Sequence, residues 1–131
     1  MGRRYMITLT INEIMNSVPV LEKISKVSTN GIIAFQIARL IRELNKEIEL
    51  FEKQRVEMIE KYCERDENGQ MVMIDESQVK IQEDNIPKYN NDLRVILGTQ
   101  IEINASKIPL ASLEEIKISP QDALLIDNLV E

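Results

Sequence analysis

The chain has 131 residues, enough for one ordinary domain and too few for two. A hydrophobic share of 44% supplies a real core and excludes wholesale disorder, while a formal charge of −6 argues against nucleic-acid backbone binding, which takes clustered Lys and Arg. The lack of histidine removes the commonest general base and zinc ligand; the lone Cys63 excludes an intramolecular disulfide; and no apolar run approaches the ~20 residues of a membrane span.

Residues 1–9 read as an extended N-terminal segment. Arg3 and Arg4 precede Ile7-Thr8-Leu9-Thr10, which is too short and polar for the core of a signal peptide. Met6 is a second candidate start, with residues 1–5 as an upstream extension. Thr10 then suits a helix N-cap, and Ile11, Ile14, Met15, Val18 and Leu21 follow at helical spacing up to about Lys26. Pro19 falls inside this pattern. It predicts one kinked helix, the alternative being two pieces with Ser17 capping the second. Residues 27–31 form a polar connection.

The dominant feature is the stretch 31–64. Ala34, Ile37, Ile41, Leu44, Ile48, Phe51, Arg55, Met58 and Tyr62 recur at steps of three and four, the 3.5-residue seam of a helix laid along another helix. At 1.5 Å per residue such a rod is roughly 50 Å long. Leu40, Leu50 and Ile59 widen the stripe to suit two neighbours, and charges of both signs line the outer faces. Eight seam residues, Ile37, Ile41, Leu44, Ile48, Phe51, Arg55, Met58 and Tyr62, are the interaction candidates, as core or as interface. Arg55 breaks the aliphatic pattern. Either it snorkels to water, or it sets register by pairing with a carboxylate on an opposing helix.

The rod is expected to end near Glu64, before a turn at 66–69 in which Asn68-Gly69 suits a type I′ hairpin pair. Residues 70–74 and 78–82 predict two short strands. Since a lone ribbon is marginal in water, 99–104, which alternates correctly, is the candidate third. A helix over 86–97 is marked by Asp84 or Asn85 as cap, Pro87 in the first turn and Gly98 beyond its end, and is the first candidate to cover the seam. Residues 111–116 form one or two helical turns. Ser119-Pro120 with Asp122 opens a closing helix to about Val130 carrying Leu124, Leu125, Ile126 and Leu129. No internal repeat is apparent.

Sites with chemistry are weak. Asp66, Asn68 and Asp75 hint at calcium, but an EF-hand needs glycine sixth and glutamate twelfth, whereas Gly69 is fourth and Ser77 twelfth; a turn is the better reading. Cys63 has no histidine to activate it, the paired carboxylates sit on polar helix faces, and no phosphate-binding or nucleophile-elbow motif occurs. A DNA mimic needs carboxylates unrelieved by cations, but here 16 basic residues mix with 22 acidic ones.

Several short runs resemble an uncharacterised family of small phage and prophage proteins, mainly from phages of Gram-positive bacteria. They are Val18-Pro19, the helix start Ala34 to Ala38, Lys61-Tyr62 with Glu64-Arg65-Asp66-Glu67-Asn68-Gly69, Ile101-Glu102-Ile103, and Ile118-Ser119-Pro120 before the closing helix. The chain departs from the family in its Arg-Arg N-terminus and in Ser28-Thr29-Asn30. The resemblance brings no activity or catalytic residues. It implies a phage gene product acting in the bacterial cytoplasm or the virion.

The expectation is therefore a single α+β domain, predominantly helical, with a long central helix packed by shorter antiparallel helices and a small two- or three-stranded β element. The expected role is that of a non-enzymatic phage accessory or virion-associated protein acting through helix-mediated contacts with a protein partner, or with a second copy in a homo-oligomer. The alternative is an inhibitor that binds a bacterial host or defence protein. No cofactor, metal, nucleic acid or membrane enters either reading.

Overall fold

The computed structural model describes residues 6–27 and 31–131. It is predominantly helical with a small antiparallel sheet: strand β1 (Met6–Thr10), helix α1 (Ile11–Ser25), helix α2 (Gly31–Tyr62), helix α3 (Ile86–Leu97), strand β2 (Gln100–Asn104) and helix α4 (Pro120–Leu125). Single 3-10 turns stand at Glu83–Asn85, Leu110–Leu113 and Asp127–Leu129. The chain forms two compact units, one of residues 1–48 with 99–131, the other of residues 49–98.

In the first unit, β1 and β2 pair antiparallel with Ile7 opposite Ile103 and Leu9 opposite Ile101. The period of two buries Ile7, Leu9 and Ile103 and leaves Met6, Thr8, Glu102 and Asn104 outside. The expected third strand at 99–104 thus exists but finds another partner, the N-terminal segment expected to be merely extended. Residues 1–5 and the polar connection at 28–30 lie outside the described residues.

Thr10 ends β1 and caps α1 at once. Its hydroxyl accepts from the Glu13 amide at 3.1 Å, and the Glu13 carboxylate accepts from the Thr10 amide at 3.0 Å, a reciprocal capping box. The other Glu13 oxygen accepts from the Asn128 side chain, which ties this cap to the C-terminal turn. α1 is one helix through Pro19. The proline lies on the exposed side together with Met15, whose carbonyl loses its helical donor there. Ser17 starts no second helix: it is buried, and its hydroxyl donates to the Ile14 carbonyl at 3.0 Å.

Ile14 and Leu21 of α1, Ile33, Ile37, Leu40 and Leu44 of α2, and Ile108, Ile126 and Leu129 from the C-terminal segment are all buried in this unit. Ser119 caps α4 by accepting from the Asp122 amide at 3.1 Å. The helix stops at Leu125, short of the expected Val130. The chain then takes a 3-10 turn, and Ile108 pairs in parallel with Val130, so Leu124 and Leu125 stay exposed while Ile126 and Leu129 go inside.

The second unit takes the last turns of α2, the segment that follows, and α3. α2 ends at Tyr62 rather than Glu64 because the Glu64 amide is turned to the Lys80 carbonyl. Three backbone segments, centred on Glu64, Val72 and Lys80, then bond to one another in a ring. Val72 donates to the Glu64 carbonyl (2.9 Å), Lys80 to that of Val72 (2.8 Å), and Glu64 to that of Lys80 (2.8 Å). An outer set repeats the pattern: Asp66 donates to Gln70 (2.9 Å), Ile74 to Gln78 (2.8 Å) and Gln82 to Tyr62 (3.0 Å). The donors of each set stand eight residues apart and the third bond closes the ring, so 63–82 is a knuckle of three leaves. Two leaves are tight turns; the third is closed by the end of α2 and the chain leading to α3. The segments expected as a two-strand ribbon make isolated bridges instead (Cys63 with Ile81, Arg65 with Met71, Met73 with Val79). Every segment has two neighbours, which supplies the backbone pairing that a lone ribbon lacks.

The first leaf is not a type I′ turn. Only Gly69 has positive φ (78°), and its amide donates to the Asp66 carbonyl at 3.0 Å, so a β-turn is followed by a left-handed glycine. α3 occupies its expected bounds with Pro87 in the first turn. Its cap differs: the Asn85 side chain makes no capping bond and donates to the Tyr62 carbonyl at 3.5 Å.

Candidate interaction surface

The chain's longest helix supplies the surface. Of the seam residues, Ile37, Leu44, Phe51, Met58 and Tyr62 are buried, whereas Ile41, Ile48 and Arg55 are half-buried and Ala34 is exposed. Over the first half of the helix Ile33 and Leu40 are buried in place of Ala34 and Ile41, one residue earlier, while Ile37 and Leu44 keep their positions. An undistorted helix of 3.6 residues per turn drifts against a 3.5-residue seam, so a strict heptad count misplaces residues at one end.

Arg55 pairs with Glu52 of its own helix, Nε at 3.2 Å and Nη2 at 3.0 Å from one carboxylate oxygen, with both side chains partly exposed. An i,i+3 pair in that setting is worth only a few tenths of a kcal/mol. At the helix end, Tyr62 meets α3: its ring stands edge-on to Tyr89 at 6.5 Å, its hydroxyl donates to Asp92 at 2.6 Å, and the Lys61 ammonium lies 5.0 Å from its centroid.

Exposed apolar residues are the feature the seam count missed. Ile32 and Phe35 at the start of α2 are 73% and 68% exposed. Further along, Leu50 and Val56 are exposed, as are Met71, Met73 and Ile74 of the knuckle and Ile86 and Val95 of α3. Within residues 49–98, only Phe51, Met58, Tyr62 and Cys63 are buried apolar residues, and α3 has no fully buried residue. A helix that stands on its own core normally buries a stripe of its apolar face. In the first unit, a groove of about 400 Å³ opens between Leu110, Leu113, Ile118 and Ile126, with Glu114 and Asp127 also lining it.

The chemical candidates are engaged locally. The Asp66 carboxylate accepts from the amides of Asn68 (2.9 Å) and Gln70 (3.0 Å), and that of Asp75 from Ser77 and Gln78 (2.8 Å each), so both serve their own turns. The Ser77 amide, with a smaller contribution from Gln78, holds the Asp75 carboxyl below its ordinary value. The Cys63 thiol is buried and lies 3.6 Å from the Glu60 carbonyl. Among the described residues, no three acidic or thiol side chains converge as a metal site, and no helix is long and apolar enough to cross a membrane. Comparison of the chain with models of known families, with curated proteins and with solved structures gives no match.

Proposed function

We propose that the protein is a non-enzymatic phage accessory or virion-associated factor that binds a protein partner through helix surface. The observation that carries the reading is the balance of apolar side chains in residues 49–98, where Leu50, Val56, Met73, Ile74 and Val95 are exposed and only four apolar side chains are buried. Residues 49–98 expose seven large apolar side chains and bury four, an excess of apolar surface of the kind that interaction sites carry, and flexible methionines suit a surface that adapts to a partner. The phage provenance comes from the resemblance of the sequence runs named above.

Mass spectrometry of gradient-purified particles from the host that carries the gene tests the reading. A defined copy number per particle is the expected result. Absence from particles, with abundance in infected cells, replaces the virion role with that of an inhibitor of a host or defence protein. Leu50→Asp with Val56→Asp, both at exposed positions, is expected to abolish incorporation or capture without unfolding the chain. Undiminished binding of this variant overturns the helix-mediated contact.

A further inference from the structure

We propose that the protein associates head to tail with a second copy of itself, the Ile32, Phe35, Arg39 and Arg42 strip of α2 in one copy seating in the apolar groove beside α4 of the next. Residues 32, 35, 39 and 42 follow at steps of three, four and three, and so share one line along the helix. Two large apolar side chains stand at its N-terminal end, and Arg39, Arg42 and Lys46 follow. The single carboxylate in residues 31–46, Glu43, is half-buried and held by Lys46 at 2.9 Å and Arg42 at 3.7 Å. On a chain of net charge −6, this is a cationic, apolar strip without a free carboxylate.

The groove is its complement. Leu110, Leu113, Ile118 and Ile126 give apolar walls, and Glu114 and Asp127 give exposed carboxylates beside them. The segment 110–131 carries Glu114, Glu115, Asp122, Asp127 and Glu131 against Lys117 alone. It therefore holds a net −4 of the chain's −6. Its volume of about 400 Å³ is within the range of sites that enclose a group of side-chain size or larger. Apolar side chains entering such a groove, with guanidinium groups meeting carboxylates alongside, satisfy both faces at once.

A second copy is favoured over a foreign acidic segment because the chain bears both halves of the match. A foreign segment on the strip leaves the groove open. A contact between two different patches is heterologous, so it repeats from copy to copy and closes into a ring or extends as a filament. This inference does not depend on the phage reading.

Sedimentation of the full chain from micromolar to millimolar concentration, at low and high salt, tests it. The expected result is a mass above that of one chain, rising with concentration and falling with salt. Phe35→Asp and Leu110→Asp, both at well-exposed positions, are each expected to leave a folded monomer. Mixed in equal amounts they are expected to form a dimer, since the first retains its groove and the second its strip. Arg39→Glu with Arg42→Glu is expected to dissociate the assembly, and adding Glu114→Arg and Asp127→Arg to the same chain to restore it. A wild-type chain that stays monomeric throughout overturns the proposal and leaves the strip to an acidic foreign partner. A mixture of the two single variants that stays monomeric overturns it as well.

Discussion

The Tyr62 hydroxyl and the Asp92 carboxylate meet at 2.6 Å, joining the last turn of α2 to the middle of α3. α3 has no fully buried residue, so apolar burial holds it weakly and a charge-assisted bond carries more of the attachment than usual. Tyr62→Phe keeps the ring against Tyr89 and removes the bond. The expected loss is about 1.5–3 kcal/mol, the range for a hydrogen bond to a charged group, toward the lower end because Asp92 is only half-buried. Urea unfolding measures the loss, and amide exchange is expected to quicken first in residues 86–97. Unchanged exchange there would mean that the edge-on ring contact suffices.

Gly69 is the one described residue with positive φ, at 78°, and it closes the first leaf of the knuckle. A Cβ built on it meets nothing within 4 Å, so a substitution pays only for its backbone conformation. Gly69→Ala is expected to cost about 1–2 kcal/mol, and Gly69→Asn less, since asparagine tolerates the left-handed region. The bond ring couples the leaves. Exchange of the Glu64, Val72 and Lys80 amides should therefore rise together in Gly69→Ala, and a rise confined to residues 65–71 would sink that coupling.

What could be read from the chain was local. Pro87 and Gly98 mark the bounds of α3, and the hydroxyls of Thr10 and Ser119 cap α1 and α4 where a short polar residue precedes an apolar run. The alternation of 99–104 identifies a strand, but nothing in it selects the distant Met6–Thr10, at the start of the described chain, over the nearer 70–82. The knuckle was hidden for another reason. Its eight-residue repeat lies in backbone bonds, while the residues at its centre, Glu64, Val72 and Lys80, share no chemistry. The candidate strip on α2 was lost to phase: taking Ala34 as the seam's first residue, where Ile33 is the buried one, draws attention from Ile32 and Phe35, the side chains left in solvent.

Gln36 lies on α2 among residues that pack the first unit, and its Oε1 atom is buried without a hydrogen-bond partner. A buried acceptor left unmade costs about 1–3 kcal/mol. Gln36→Met keeps the length and the helix propensity of the side chain and removes the amide. It is expected to stabilise the chain by about 1 kcal/mol in urea unfolding, the gain being reduced because the rest of Gln36 is partly solvated. A destabilised variant would show that the amide donates a bond worth more than the orphaned oxygen costs.

Asp75 gives the second leaf a pH limit. Its carboxylate accepts from the Ser77 amide, which lowers its pKa most, and from the Gln78 amide and the Ser77 hydroxyl, and these bonds outweigh the opposing cost of desolvation. A carboxyl whose folded pKa is depressed adds stability that is present above its unfolded value and is lost as pH falls through the folded one. The turn 75–78 is therefore expected to stay closed at neutral pH and to loosen only below the ordinary value of 3.8. Amide chemical shifts of Ser77 and Gln78 followed through an acid titration measure it. The expected midpoint lies below 3.8, and a midpoint at or above that value would mean that the amides do not hold the charged form. Asp75→Asn retains an acceptor oxygen without the charge, so its turn amides should hold their shifts through the same range.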